Sequence, residues 1–281
     1  TTTLLGLIGS PVAHSKSPAM CNYCLRKYGL DYAYLAFDVL PEDMARAVNA
    51  IRTLHLRGAN ITMPCKAAVM PFLDKITLAA KAIGAVNTVV NDHGVLTGHN
   101  TDGLGYTQNL RRHGVAVKGK RIVLLGGGGA GSAIAVQAAL EGAAEIAVFN
   151  RKDSFWLRVE AAMQAARIAA PACQIALQDL DDREALRKAI ERSDILSNAT
   201  RVGMAPLENE TNVELAWFRP ELVVTDVVYA PPKTRMLREA EAAGCGTCDG
   251  LGMLLCQGAE AFRLYSGEEM PIEESRALLY S

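Results

Sequence analysis

The chain has 281 residues, room for two domains of ordinary size, each able to bury its own core. Half of the residues are hydrophobic, and 29 Lys and Arg nearly balance 30 Asp and Glu, so nothing in the charge points to nucleic acid, another polyanion or a membrane surface as partner. A small molecule is the expected partner. The start, TTTLLGLIGSP, has neither the basic beginning nor the long apolar core of a secretory signal, and no apolar run is long enough to span a bilayer. Seven cysteines, an odd number spread over a long chain, fit reduced thiols better than a disulfide framework, so a cytoplasmic chain is expected.

In chain order, Leu4 to Ile8 reads as a short strand, followed by a hydroxyl-rich loop, Ser10 to Pro18, and a helix from Pro18 to Lys27. Cys21 and Cys24 form a C-x-x-C pair, as do Cys245 and Cys248. The gap between the pairs is far longer than in compact zinc modules, so they read as apolar filler and no metal site is expected. A strand at Tyr32 to Val39, a helix at Glu42 to Leu54 opened by Pro41, and a strand at Ala59 to Thr62 follow. Strands alternating with helices mean a mostly parallel sheet. Pro64 stops the last strand, and Lys66 reads as the opening of a helix. A lysine there meets an unfavourable helix dipole and asks for an anion, which Asp102 can supply.

After an amphipathic stretch, Leu78 to Ile83, comes GAVNTVVND (Gly84 to Asp92), a turn at His93 and Gly94, and a return through Val95 to His99. Asn100 to Gly103, NTDG, follows, where Thr101 and Asp102 could simply cap the next helix. Between Gly105 and Lys120 a polar helix links the first α/β region to the second.

The second region opens on Lys120 to Asp153. Arg121 to Leu125 is a short run of branched residues, a buried parallel strand by length and composition. It ends in GGGGAG (Gly126, Gly127, Gly128, Gly129, Ala130, Gly131), which fits G-x-G-x-x-G at Gly126, Gly128 and Gly131. In that pattern the first glycine makes the tight turn, the second lets backbone approach a pyrophosphate, and the third lets helix pack close to strand. A helix from Ala130 to Glu141 then points its free N–H groups at the phosphates. The next strand, Glu145 to Phe149, ends in Asn150, Arg151, Lys152 and Asp153, where this arrangement reads the adenosine ribose. Further helices (Phe155 to Ile168, Asp182 to Arg192), strands (near Ile175, Ile195 to Asn198, Leu222 to Val228) and three closing helices (Thr234 to Ala243, Gly252 to Tyr265, Ile272 to Tyr280) complete the reading. The fold class is α/β: a mostly parallel substrate domain at 1–104, completed by helices at 252–281, and a Rossmann-type dinucleotide domain at 105–251, with a cleft between them.

SKSP (Ser15 to Pro18), TMPCK (Thr62 to Lys66), GAVNT (Gly84 to Thr88), NTDG, GGGGAG, NATRVGM (Asn198 to Met204) and DGLGMLLCQGAEAF (Asp249 to Phe262) occur in the order seen in shikimate dehydrogenases. The resemblance covers the whole chain, and within the family it is most like the quinate/shikimate dehydrogenase branch, because Arg201 precedes VGM and NRKD stands where the NADP-dependent biosynthetic branch carries Asn-Arg-Thr. It implies oxidation of the ring C3 hydroxyl of quinate or shikimate, with Lys66 as catalytic acid/base beside Asp102. Ser15 and Ser17 would hold the substrate carboxylate, and Thr62, Asn87 and Gln257 the ring hydroxyls together with Asp102, with Tyr229 nearby. The glycine loop, the NRKD segment, Arg201, Val228 and Gly250 would hold the cofactor, NAD used well and NADP tolerated. Taken singly, Ser15, Ser17, Asn87 and Gln257 also read as capping, turn or surface residues. A methylenetetrahydrofolate dehydrogenase and a catalytically silent nucleotide-binding regulator are the competing readings, and a homodimer is left open.

Overall fold

The structure, a computed structural model, describes residues 2–13 and 15–280, so His14 of the hydroxyl-rich loop lies outside the described residues. The chain divides into two units, Thr1–Thr101 with Leu255–Ser281, and Asp102–Leu254. The sequence reading cut the chain at 104/105 and 251/252.

The first unit is built on β1 (Thr3–Gly9), α1 (Ser17–Lys27), β2 (Tyr32–Asp38), α2 (Met44–Thr53), β3 (Gly58–Ile61), β4 (Lys75–Ile76), α3 (Leu78–Ile83), β5 (Thr88–Asp92) and β6 (Val95–His99). Its six strands order β2-β1-β3-β5-β6-β4. The β1 pairings with β2 and β3 are parallel, as is β4 with β6, whereas β5 runs antiparallel to both β3 and β6. The reversal is local chemistry: His93 and Gly94 both take positive φ, 53° and 93°, the left-handed pair that closes a tight hairpin. α1 starts where Pro18 supplies a pre-set φ, and α3 is capped by the Thr77 hydroxyl, which accepts from Ala80 N–H at 3.4 Å, and ends at left-handed Gly84. Under the sheet, Ile8, Ile51, Ile61, Val86, Val89 and Leu96 form one apolar cluster. Each such side chain contributes about 1.5–3 kcal/mol by leaving water.

The second unit holds α4 (Asp102–Arg112), β7 (Arg121–Leu125), α5 (Gly129–Leu140), β8 (Glu145–Asn150), α6 (Trp156–Ala169), β9 (Gln174–Asp179), α7 (Arg183–Glu191), β10 (Ile195–Asn198), β11 (Val223–Asp226), α8 (Arg235–Ala242) and β12 (Gly246–Cys248). All strands are parallel, in the order β12-β11-β10-β7-β8-β9. Counted from β7 this is the doubly wound order 3-2-1-4-5-6, with its reversal between β7 and β10. The chain passes back to the first unit within α9 (Gly250–Ser266) and ends in α10 (Ile272–Tyr280).

Three expectations are corrected here. No α-helix opens at Lys66: residues 63–69 are successive turns running into a single 3-10 turn, Met70–Phe72. The helix expected after Gly105 begins at Asp102 and is no polar linker, because Tyr106, Thr107, Asn109 and Leu110 are buried on it. Its Gly103 lies so close to α5 that a Cβ there would stand 2.4 Å from the Ala133 carbonyl oxygen. The short strands β4 and β12 were not anticipated, since two or three residues carry too little pattern to register.

All seven cysteines are buried free thiols. Burial pushes the Cys21 thiol up and that of Cys248 up to about 12, as for apolar filler. Among the described residues no helix is long and apolar enough to cross a membrane.

Candidate active site

In the second unit a cavity of about 480 Å³ lies at the carboxyl ends of the strands, lined by Gly126, Gly128, Asn150, Arg151, Asp153, Leu180 and the segment from Ala199 to Asn212 that follows β10. Open α/β sheets place ligands at such a switch point. The glycine turn is shaped for close approach. Gly126 has φ 89°, and a Cβ on Gly131 would sit 2.0 Å from the Gly126 carbonyl oxygen, so a side chain at 131 would push α5 off the turn. Nothing lies within 4 Å of the Cβ position of Gly128 or Gly129, which leaves the mouth of the turn open at the α5 N-terminus. Gly127 packs on Val159 of α6. A pyrophosphate fits this donor set: backbone N–H groups, no obstructing side chain and a helix N-terminus.

The residues after β8 divide their work. The Asn150 side chain braces the turn, its Oδ1 accepting from Gly127 N–H at 3.0 Å and its Nδ2 donating to the Arg151 carbonyl at 2.8 Å. Asp153 Oδ1 accepts from Phe155 N–H at 2.9 Å in the turn before α6, and Asp153 lines the cavity wall. Arg151 also lines the wall, and Arg201 lines it from the β10 segment. Lys152 does not. Its Nζ lies 3.4 Å from Asp179 Oδ2 and 5.7 Å from the centre of the Trp156 ring.

A buried network missed in the sequence holds that segment in place. Asn198 Nδ2 donates to Asp226 Oδ1 (2.9 Å) and to the Val202 carbonyl (3.0 Å), while its Oδ1 accepts from the Thr200 hydroxyl at 2.6 Å. Asn212 Nδ2 donates to Thr200 Oγ1 at 3.0 Å. Asp226 Oδ2 accepts from the Thr234 hydroxyl at 2.7 Å, and the same Thr234 oxygen caps α8. Burial pushes the Asp226 carboxyl up to about 6 despite these donors. The signal was present in the sequence as one acid ending an apolar strand. Val228 N–H also donates to Asp226 Oδ1 (3.0 Å), and the carbonyls of Val227 and Val228 abut Gly250, where a Cβ would come within 2.5 Å of each. Tyr229, the next residue, is 52% exposed.

In the first unit the predicted substrate residues sit on several segments. Ser15 and Ser17 are half-buried, and Ser15 Oγ accepts from Ser17 N–H at 3.2 Å at the start of α1. Thr62 follows β3, its N–H donating to the Ile8 carbonyl at 2.9 Å and its own carbonyl accepting from Cys65 N–H at 2.9 Å. Lys66 is half-buried in the turns that follow, and its carbonyl accepts from Val86 N–H at 2.8 Å, which docks the lysine's backbone beside Asn87. Cys65 buries its thiol, donating to the Val39 carbonyl at 3.3 Å, and so anchors the same turns. Asn87 is almost fully buried, its Nδ2 donating to Thr101 Oγ1 at 3.0 Å and to Gln257 Oε1 at 3.5 Å. Thr101, read from the sequence only as a cap, belongs to this cluster, donating from Oγ1 to Gln257 Oε1 at 3.4 Å. Asp102 is the next residue, the first of α4 in the second unit.

Residues 7–89 match the shikimate dehydrogenase substrate binding domain, and residues 250–280 the shikimate 5'-dehydrogenase C-terminal domain. The chain is 48% identical to the shikimate dehydrogenase (NADP(+)) of Listeria monocytogenes serotype 4b (strain F2365), over 99% of this chain and 96% of that one. Among solved structures, shikimate 5-dehydrogenase from Listeria monocytogenes in complex with shikimate and NAD superposes with a TM-score of 0.96 at 48% identity, covering 99% of this chain and 96% of the other. Quinate dehydrogenase from Corynebacterium glutamicum in complex with NAD gives a TM-score of 0.89 at 32% identity, covering 99% of each chain.

Proposed function

The chain belongs to the shikimate dehydrogenase family, and from that premise we propose that it oxidises the ring C3 hydroxyl of both shikimate and quinate, reversibly, using NAD well and accepting NADP. It is an NAD(P)-dependent oxidoreductase acting on a CH–OH group. The observation that carries the finer reading is the cluster of Asn87, Thr101 and Gln257, beside which the Lys66 turn is docked through Val86. Amide and hydroxyl groups suited to a polyhydroxylated ring, with the backbone of a residue able to move a proton docked alongside, support this reading.

In this reading Ser15 and Ser17 bind the substrate carboxylate through their hydroxyls, Thr62, Asn87 and Gln257 take ring hydroxyls, and Tyr229 adds a further polar contact. Amine at Lys66 Nζ accepts the hydroxyl proton during oxidation, and ammonium returns it during reduction, with Asp102 as orienting anion. The nicotinamide, when bound, supplies hydride transfer. The Gly126 to Gly131 turn would hold the pyrophosphate through N–H groups from Gly128 onward, Asp153 would take the ribose hydroxyls, Arg151 and Arg201 a 2′-phosphate, and Val228 and Gly250 would serve the nicotinamide end. Support for accepting both nucleotides comes from a wall that carries a carboxylate and two guanidinium groups together.

Initial rates for shikimate and quinate against NAD and NADP test this. Turnover is expected in all four combinations, with NAD at least equal to NADP. Absence of nicotinamide reduction with either substrate would leave a nucleotide-binding protein without this activity.

A further inference from the structure

Behind Asn87 lies a buried chain of polar groups in which both amides are oriented by backbone partners able to play only one role. Thr101 N–H can only donate, and it points at Asn87 Oδ1 at 2.8 Å, so that atom is the oxygen. The Asn87 backbone carbonyl can only accept, and Asn60 Nδ2 lies 3.3 Å from it, so the Asn60 amino group faces Asn87 and its oxygen faces away. That oxygen accepts from the Tyr34 hydroxyl at 2.8 Å. The same Asn60 amino group donates to Thr88 Oγ1 at 3.2 Å, and the Thr88 hydroxyl, which also faces the buried Tyr265 hydroxyl, donates to Asn87 Oδ1, 2.9 Å away. Tyr34 and Thr88 are 1% and 0% exposed, so water cannot substitute for a lost link.

We propose that Thr88, backed by Asn60 and Tyr34, is a positioning residue that locks the Asn87 carboxamide so that the substrate meets its N–H face and not its oxygen. The proposal rests on the reading of Asn87 as a substrate contact. Asn87 Oδ1 takes its protons from Thr88 and from Thr101, and the amino group is thereby turned to the side of Thr101 Oγ1 and Gln257 Oε1. A ring oxygen bound there accepts the proton that otherwise goes to Gln257 Oε1, the longer of the two contacts at 3.5 Å, and a substrate analogue with a carbonyl at that ring position is tolerated where one with only a donor is not. The three groups lie on three strands of one sheet, Tyr34 on β2, Asn60 on β3 and Thr88 on β5, with β1 between β2 and β3, so the lock forms only when the sheet has assembled.

The test is a double-mutant cycle on the full-length enzyme, reading kcat, KM for shikimate, KM for nucleotide and Tm. Asn87→Ala should raise the shikimate KM by roughly tenfold or more, and Thr88→Val should raise it by about threefold to tenfold while its own kcat and nucleotide KM stay nearly unchanged. Thr88→Ser, which keeps the hydroxyl, should restore the wild-type KM. Combined with Asn87→Ala, Thr88→Val should add nothing, because its effect passes through Asn87. Tyr34→Phe, two links away, should move KM in the same direction by less, and its cycle with Asn87→Ala serves if Thr88→Val does not fold. Multiplicative effects in the double variant, or a Thr88→Val enzyme that loses Tm but keeps its KM, would overturn the lock. An Asn87→Ala enzyme with unchanged KM would instead overturn the substrate reading, and the lock with it.

Discussion

In the proposed reading, the cavity of the second unit and the polar cluster of the first solve the same problem, presenting polar groups to a ligand, by different routes. Around the cavity the turn would present backbone N–H from Gly128 onward, those of Gly126 and Gly127 being taken by the Phe149 carbonyl and Asn150, and the side chains there come from the ends of β8 and β10. Around Asn87 the groups are side chains, and their partners are remote: Thr101 lies 14 residues away and Gln257 170. Backbone donors aimed by a turn need only the correct local geometry. Side-chain donors in a buried cluster need partners that fix which atom faces outward, since an amide turned by 180° exchanges its donor for its acceptor. The first kind of site depends on glycines that leave room for the turn, the second on partners that hold each amide the right way round.

That contrast is sharpened most by removing the chemistry from the first unit. Lys66→Ala should lower kcat by roughly 100-fold to 10,000-fold with a smaller change in KM, the usual reach of a positioned acid/base. An alanine variant that keeps kcat and changes only KM would make Lys66 a substrate clamp and shift proton transfer elsewhere.

A smaller effect is expected from the buried acid that braces the second unit. The Asp226 carboxyl is raised from 3.8 in its ordinary state to about 6 in the fold, so between those values the folded protein holds a proton that the unfolded chain has released. Stability from this group is therefore complete below about pH 4 and is lost as pH rises through about 6. That difference corresponds to about 3 kcal/mol. Asp226→Asn lacks this dependence, so its stability relative to wild type, from urea unfolding at a series of pH values, should climb by about that amount between pH 4 and pH 7. A constant difference across that range would mean that Asp226 titrates normally.

The smallest effect concerns the cavity wall. Asp153→Ala should shift the ratio of kcat/KM values for NADP over NAD upward by roughly tenfold, equivalent to about 1.4 kcal/mol, by removing an acceptor for ribose hydroxyls and a charge that opposes a 2′-phosphate. Asp153 drops out as the cofactor reader should the ratio stay at the wild-type value. In that event the Lys152 and Asp179 pair, which holds the lysine off the wall, becomes the next place to look.

What could be read from the sequence is what short-range chemistry dictates. The apolar run Arg121–Leu125 with its glycine turn, and the His93–Gly94 hairpin, each carry their own instructions, because strand preference, positive φ and the close approach of helix to strand act within a few residues. Motif order further pointed to Lys66, Asn87, Asp102 and Gln257. Tertiary structure alone decided that Lys66 sits in a chain of turns and not on a helix, since its carbonyl is claimed by Val86 and the thiol of its neighbour Cys65 by Val39. Only there, too, do Thr88, Asn60 and Tyr34 line up behind Asn87, and Asn198 behind Asp226. Such pairings follow from the order of strands in a sheet, which sequence-local preferences do not encode, and from burial, which obliges each polar group to find its partner wherever the fold puts one.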